Sequence, residues 1–292
     1  MTAPAASAKP LTAGLRWAID RALAVGYGVV YDYIFERFDP YRALQQEVLD
    51  VVRAAAGART PREVRVLDIG CGPGNFSLLL AGAGFSVIGV DAYEPLVTLA
   101  QEKRRAQHLP NLAFKRVPLA HTTAFPAAHF DQVLNVHFLY AHPDPDAILR
   151  EAERLLAPGG HGVFVNLTRR VQVCPTFRRL RKDAGWSTAL GSLLWILPNA
   201  LFENLRPRQT SPHYWDEAQF AERLRTAGFE VLELRRTFFE GASLLACVRK
   251  PLDGERGPAT STTASDQFLA NCGRKSGQES STSSSLDRVQ DR

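Results

Sequence analysis

Val64-Arg65-Val66-Leu67-Asp68 followed by Ile69-Gly70-Cys71-Gly72-Pro73-Gly74 is the stretch whose reading decides the fold. The first five residues, free of glycine and rich in β-branched and aliphatic side chains, predict a buried strand. Phe76 to Ala83 predicts the helix that follows, which puts a glycine-rich turn between a strand end and a helix start. In open α/β sheets that position is where ligands bind. Glycines there remove side chains, so that a ligand can lie against bare backbone.

Outward from this stretch the alternation continues. Ser86–Asp91 predicts a second strand and Pro95–Gln107 a helix; Leu112–Val117 and Phe130–Val136 predict two more strands. Ala147–Leu156 predicts a helix stopped by Pro158-Gly159-Gly160, and Gly162–Leu167 a fifth strand. Trp215–Ala227 reads as a helix closed by Gly228, and Phe229–Arg235 with Ser243–Val248 as an antiparallel hairpin turned near Gly241. The expected architecture is a Rossmann-like three-layer sandwich, its mostly parallel seven-stranded sheet ending in that hairpin.

The flanks divide the chain further. Residues 1–10 are small and polar and read as disordered, and 11–58 read as a helical cap rich in aromatics, Tyr31 and Tyr33 among them. Its second helix starts at Asp39-Pro40, where Asp caps and Pro suits the first turn. Residues 59–168 form the expected cofactor-binding core, 169–214 an insertion or lid, and 215–250 the rest of the core. The insertion is first basic (Arg169, Arg170, Arg178, Arg179, Arg181, Lys182), then apolar from Trp186 to Phe202. Residues 251–292 are Ser/Thr/Gly-rich and carry too little apolar surface to offset ordering entropy, so they read as a disordered tail.

Composition narrows the function. A net charge of +5 over 292 residues is far from the dense cationic surface of a dedicated nucleic-acid binder. Four scattered cysteines, with no paired spacing, suggest neither a zinc site nor a disulfide framework, which fits a reducing cytoplasm. The longest apolar run, Ala189–Phe202, is short for a membrane span and contains Pro198, so no transmembrane segment is expected. The arginines leave open a peripheral contact with lipid head groups, beside the plainer reading of a solvated basic face.

The loop spacing is Gly-x-Gly-x-Gly; the dinucleotide fingerprint would need glycine where Asn75 stands. Asp68, just before the loop, suits a cationic ligand better than a pyrophosphate. Asp91, ending the next strand, is placed to accept hydrogen bonds from a ribose diol, its plainer role being a helix cap. These features resemble class I S-adenosylmethionine-dependent methyltransferases of the small-molecule, type-11-like branch. VLDIGCGPG resembles their glycine motif, VIGVDAYEPLV the acidic second motif, and FDQVLNVHFLYAHPDPDAILREAERLLAPGG the strand-four segment with its Pro-Gly-Gly turn.

The resemblance implies S-adenosylmethionine as cofactor, with Asp68, Gly70, Gly72 and Gly74 at its methionine end and Asp91 on the ribose. Asn135 and the residues after it would approach the methyl group. Leu119-Ala120 stand where such families usually carry an acid and a small residue against adenine. That departure motivates an alternative, a non-catalytic cofactor-binding partner protein. A third reading, an RNA or protein methyltransferase, rests on the basic charge.

Methyl transfer needs alignment and dryness first, and a general base only where the acceptor loses a proton. His137 and Tyr140, just beyond the fourth strand, are the expected catalytic candidates, with His142 near them. A hydrogen-bonded structural histidine is the competing reading of His137. His213, Tyr214, Tyr31 and Tyr33 are further candidates to line the acceptor pocket. No metal is expected, because the strand ends offer Asn135 and Asn166 rather than acids. The expected substrate is a hydrophobic small molecule, methylated at oxygen or carbon.

Overall fold

A computed structural model describes residues 39–118, 123–169, 173–205, 213–252 and 254. The expected cap residues Tyr31 and Tyr33, the pair Leu119-Ala120, and both expected disordered ends apart from residues 251, 252 and 254 lie outside the described residues.

The strands are β1 (Arg65–Ile69), β2 (Ser86–Asp91), β3 (Leu112–Arg116), β4 (Phe130–Val136), β5 (Leu156–Leu167), β6 (Glu230–Thr237) and β7 (Ser243–Arg249). They form one sheet in the order β3-β2-β1-β4-β5-β7-β6. The pairs from β3 to β5 are all parallel, while β7 runs antiparallel to both neighbours. This is the expected Rossmann-like sheet with its antiparallel end. The chain builds outward from β1 through β2 to β3, then returns to place β4 on the other side of β1. That reversal opens a crevice at the carboxyl ends of β1 and β4.

Helices cover both faces: α1 (Asp39–Ala56), α2 (Asn75–Gly82) and α3 (Glu94–Ala106) on one, α4 (Pro145–Leu155) and α6 (Glu217–Thr226) on the other. Strand alternation sorts the core accordingly. Val66, Val163 and Leu245 pack with Leu44, Leu80 and Val97. Leu67, Val133 and Phe164 pack with Ile148, Phe220 and Leu224. Asp216 caps α6, accepting from Gln219 N at 2.8 Å while the Gln219 side chain accepts from Asp216 N in return.

One expectation is corrected. Pro158-Gly159-Gly160 is not a turn closing α4 but part of β5, which starts at Leu156. Gly159 N donates to Lys250 O and Lys250 N to Gly160 O, both at 2.9 Å, so main-chain pairing at the end of β7 carries the run into the sheet, with Gly159 at φ 75° and the β4–β5 register broken between Leu156 and His161. The insertion is one helical element, α5 (Val173–Leu205), broken at Gly185 where φ is 83°. Side-chain-free glycine admits that angle, which divides α5 into a basic and an apolar half.

Candidate functional site

The crevice begins with Asp68. It ends a strand buried on both sides, so its carboxylate is buried too, accepting the Ser77 hydroxyl at 2.6 Å. Burial pushes its pKa up to about 7, against the lowering effect of the Ser77 hydrogen bond, and the neighbouring Asp91 pushes the same way. Asp91 accepts Gly72 N at 3.0 Å and Tyr93 N at 2.8 Å. It thereby supports both the glycine loop and the entry to α3. Its pKa is also raised by burial, with the main-chain donors opposing.

The glycine loop is clasped from two sides. Gly70 N and Cys71 N donate to Val90 O at 2.8 and 3.0 Å. Lys103 on α3 donates to Pro73 O at 2.9 Å and to Asn75 Oδ1 at 2.6 Å. Two of the glycines are required for different reasons. At Gly70 a side chain would collide with the ring of Phe138, so the protein itself occupies that space. At Gly72, φ is +52° and nothing lies within 4 Å of where a Cβ would stand. The chain leaves that side of the loop open.

Asn135 ends β4 beside this loop. Its Nδ2 donates to Ile69 O at 2.8 Å, and its Oδ1, buried, has no hydrogen-bond partner among the described residues. A buried acceptor left unpaired costs about 1–3 kcal/mol, so it marks a place for a donor. S-adenosylmethionine fits this donor set. Asp68 and the Asn135 oxygen would take its ammonium, the open side of Gly72 its main-chain contact, and Asp91 its ribose diol.

Beyond β4 the expected candidates separate. His137 has φ 52° and turns toward the hairpin, where its Nε2 lies 2.8 Å from Ser243 Oγ and its ring packs edge-on against Phe238. Burial pushes its pKa down to about 4, so the imidazole is neutral. The geometry therefore engages His137 within the protein, as a hydrogen-bonded core residue would be. His142 instead packs its ring on Phe138, centroids 5.3 Å apart, and Phe138 covers Gly70. The His142 Nδ1 is held by the main chain of Asp144.

Tyr140 meets the far end of the insertion. His213 N donates to Tyr140 O at 2.7 Å, Asn166 Nδ2 donates to His213 O at 3.2 Å, and the Tyr140 and Tyr214 rings stack at 6.0 Å. The structure thus brings Tyr140, His213 and Tyr214 together over the ends of β4 and β5. Asn166 Oδ1 and His213 Nε2 are buried there without hydrogen-bond partners among the described residues. Sequence reasoning missed Phe138, Ser77, Lys103 and Ser243. Ser77, in the first turn after the glycine loop, carried a local signal; the other three act through contacts made only on folding.

A strand-reversal crevice with a glycine loop, a buried acid before it and an acid ending the next strand defines a class I S-adenosylmethionine-dependent methyltransferase domain. The family profile described as "Methyltransferase domain" matches residues 41–234, about two-thirds of the chain, and the chain belongs to that family. Its cofactor is S-adenosylmethionine. The chain is similar to the ubiquinone biosynthesis O-methyltransferase of a Caulobacter species, 33% identical over 138 residues, which cover 46% of this chain and 54% of the relative. The enzyme of that name from Acinetobacter baylyi is 29% identical over 105 residues, 36% of this chain and 44% of the relative.

The matched stretch spans about half the length of these relatives. Among solved structures, the 4+2 cyclase SpnF superposes with a TM-score of 0.55 at 18% identity, over 80% of this chain and 96% of that one. The 1,6-didemethyltoxoflavin-N1-methyltransferase of Burkholderia thailandensis gives a TM-score of 0.51 at 20% identity, over 86% and 93%. Both likenesses are of fold.

Proposed function

We propose that this chain transfers a methyl group to an oxygen of an uncharged, hydrophobic small molecule. The observation that carries the reading is the neutrality of the β4–β5 edge. Asn135 and Asn166 stand at the strand ends, His137 is held neutral, and Phe138, Tyr140, His142 and Tyr214 supply rings. An ionised acceptor would find no countercharge on these groups, whereas a flat apolar one would find aromatic faces. Oxygen rather than carbon is favoured by the names of the curated relatives, which are O-methyltransferases.

S-adenosylmethionine, when bound, supplies an electrophilic methyl on a sulfonium. The chain's own part is to hold the cation and orient the acceptor. Asp68, whose carboxyl is destabilised as an anion by burial, gains most from a cation beside it. Asn135 offers its open oxygen and fixes its own amide on Ile69 O. A hydroxyl acceptor loses its proton as the oxygen–carbon bond forms. His142 is the imidazole beside the glycine loop through Phe138, and with Nδ1 engaged by Asp144 its other nitrogen is the one to take that proton. His137, the candidate expected from sequence, serves in this reading to brace the edge.

The test is incubation with methyl-labelled cofactor and a fractionated metabolite extract. Label in neutral, solvent-extractable compounds, lost on treatments that cleave methyl ethers, supports the reading. Label in RNA or protein overturns the acceptor class, and tight cofactor binding without any transfer overturns catalysis.

A further inference from the structure

The outer face of α5 carries an apolar stripe that the cofactor crevice does not use. Trp186 is 61% exposed, Leu190 55% and Leu197 54%, more than any other large hydrophobic side chain among the described residues. Spacings of four and seven residues put all three on one side of a helix. Ser192, on the opposite side, is buried, and its Oγ donates to Ala189 O at 2.7 Å. The stripe therefore faces away from the body of the protein.

The half of α5 before Gly185 has the opposite chemistry. Arg178, Arg179, Arg181 and Lys182 are all exposed, while Thr176 is buried and Leu180 packs against the core under α1. The two halves meet at Trp186, whose ring lies 5.0 Å from the Arg181 guanidinium carbon. Phe177 packs edge-on against the same ring at 6.4 Å.

We propose that this face of α5 docks on the surface of an anionic lipid bilayer. An interfacial helix needs a tryptophan-and-leucine face to enter the acyl boundary and adjoining cations for the phosphates, and α5 carries both. No helix among the described residues is long and apolar enough to cross a membrane, so the contact is one of lying on the surface. A second copy of the chain fits less well. Between residues 174 and 200 the segment holds four bases and one acid, Asp183, so an identical face brings few carboxylates to meet the cations. A nucleic acid would use the bases and leave the leucines exposed. The proposal concerns where the protein sits and stands independently of which acceptor it methylates.

Sedimentation of the full chain with vesicles tests it. Vesicles of phosphatidylcholine and phosphatidylglycerol in equal parts should retain the protein, and those of phosphatidylcholine alone should not. Trp186→Ser with Leu190→Ser, and separately Arg178→Glu with Arg181→Glu and Lys182→Glu, should each weaken retention on the order of a hundredfold. Calorimetric affinity for S-adenosylmethionine should stay unchanged in both variants, which shows that they fold. Brominated acyl chains should quench tryptophan emission, and the quenched fraction should fall in the Trp186→Ser variant. Absence of wild-type retention, or retention of either variant at the wild-type level, overturns the proposal. So does concentration-dependent self-association that disappears with Trp186→Ser, which would name a second copy as the occupant.

Discussion

The two edges that meet at the crevice are made of different chemistry. On the β1–β2 edge, Asp68 and Asp91 are buried carboxylates, and the groups that hold them are a hydroxyl and main-chain amides within a few turns of sequence. On the β4–β5 edge the polar groups are amides and imidazoles. Their partners come from far along the chain: Ser243 for His137, and His213 for Asn166. The first edge keeps negative charge out of water, at a cost that a bound cation offsets. The second is uncharged, and can select only by shape and hydrogen bonding. On the proposed reading, recognition of the cofactor is electrostatic and local, and recognition of the acceptor is steric and assembled.

The largest effect expected from this contrast is at Gly72. Gly72→Val puts a branched side chain into the open side of the loop at a positive φ, and should weaken S-adenosylmethionine binding beyond about a hundredfold by calorimetry. Strain of a β-branched residue at that φ should also cost about 1–3 kcal/mol, lowering the thermal transition by several degrees. Retained binding would mean that the open side of the loop is not where the cofactor lies.

Next comes Asp91→Ala, which removes the carboxylate and leaves Gly72 N and Tyr93 N without their acceptor. A loss of about 1.5–3 kcal/mol in cofactor binding is expected, with about 1–3 kcal/mol in stability from the stranded donors. Unchanged binding with lost stability would reduce Asp91 to a cap.

The contrast also has a pH signature. The Asp68 pKa is raised to about 7 by burial, so in the free protein the stability associated with its neutral form is present at low pH. It is lost as pH rises from the ordinary carboxylate range through about 7. A cationic ligand favours the anion and reverses the preference. Cofactor affinity should therefore fall by up to about tenfold per pH unit below about 7, and Asp68→Asn should flatten the profile. A profile already flat in the wild type would remove Asp68 from the cation site.

Smaller effects belong to the neutral edge. Ser243→Ala strands a buried imidazole nitrogen and should cost about 1–3 kcal/mol of stability in chemical denaturation. Replacing His137 by Gln should leave the shape of the turnover pH profile intact, whereas His142→Gln should remove its acidic limb. Were the limb to vanish with His137 instead, that residue would be the base after all. Least of all, Tyr214→Leu should leave cofactor affinity within about threefold while raising the acceptor KM, because the aromatic stack on Tyr140 is lost.

How legible each edge was follows from the same contrast. Asp68, the glycine loop and Asp91 lie within one strand-helix-strand unit, so spacing alone placed them beside one another. Residues 156–160 misled because a Pro-Gly-Gly run carries turn chemistry locally, which Gly159 keeps at φ 75°, and only Lys250, ninety residues on, supplies the pairing that joins it to the sheet. His137 misled for a related reason. A histidine after a strand end is a fair base by position, and nothing nearby in the chain indicates that Ser243 will take its nitrogen.

By itself, the sequence determined the layer order, the parallel sheet with its reversed end, and the place of the two acids at the crevice. Hydrophobic periodicity and turn glycines act over a few residues and so can be read in one dimension. The tertiary structure decided which face each imidazole serves, which glycine gives way to Phe138 and which stays open, and that the insertion meets Tyr140 at His213. It also set the acids' raised pKa values, because burial is a property of everything packed around a group, drawn from α2, β2 and β4 together.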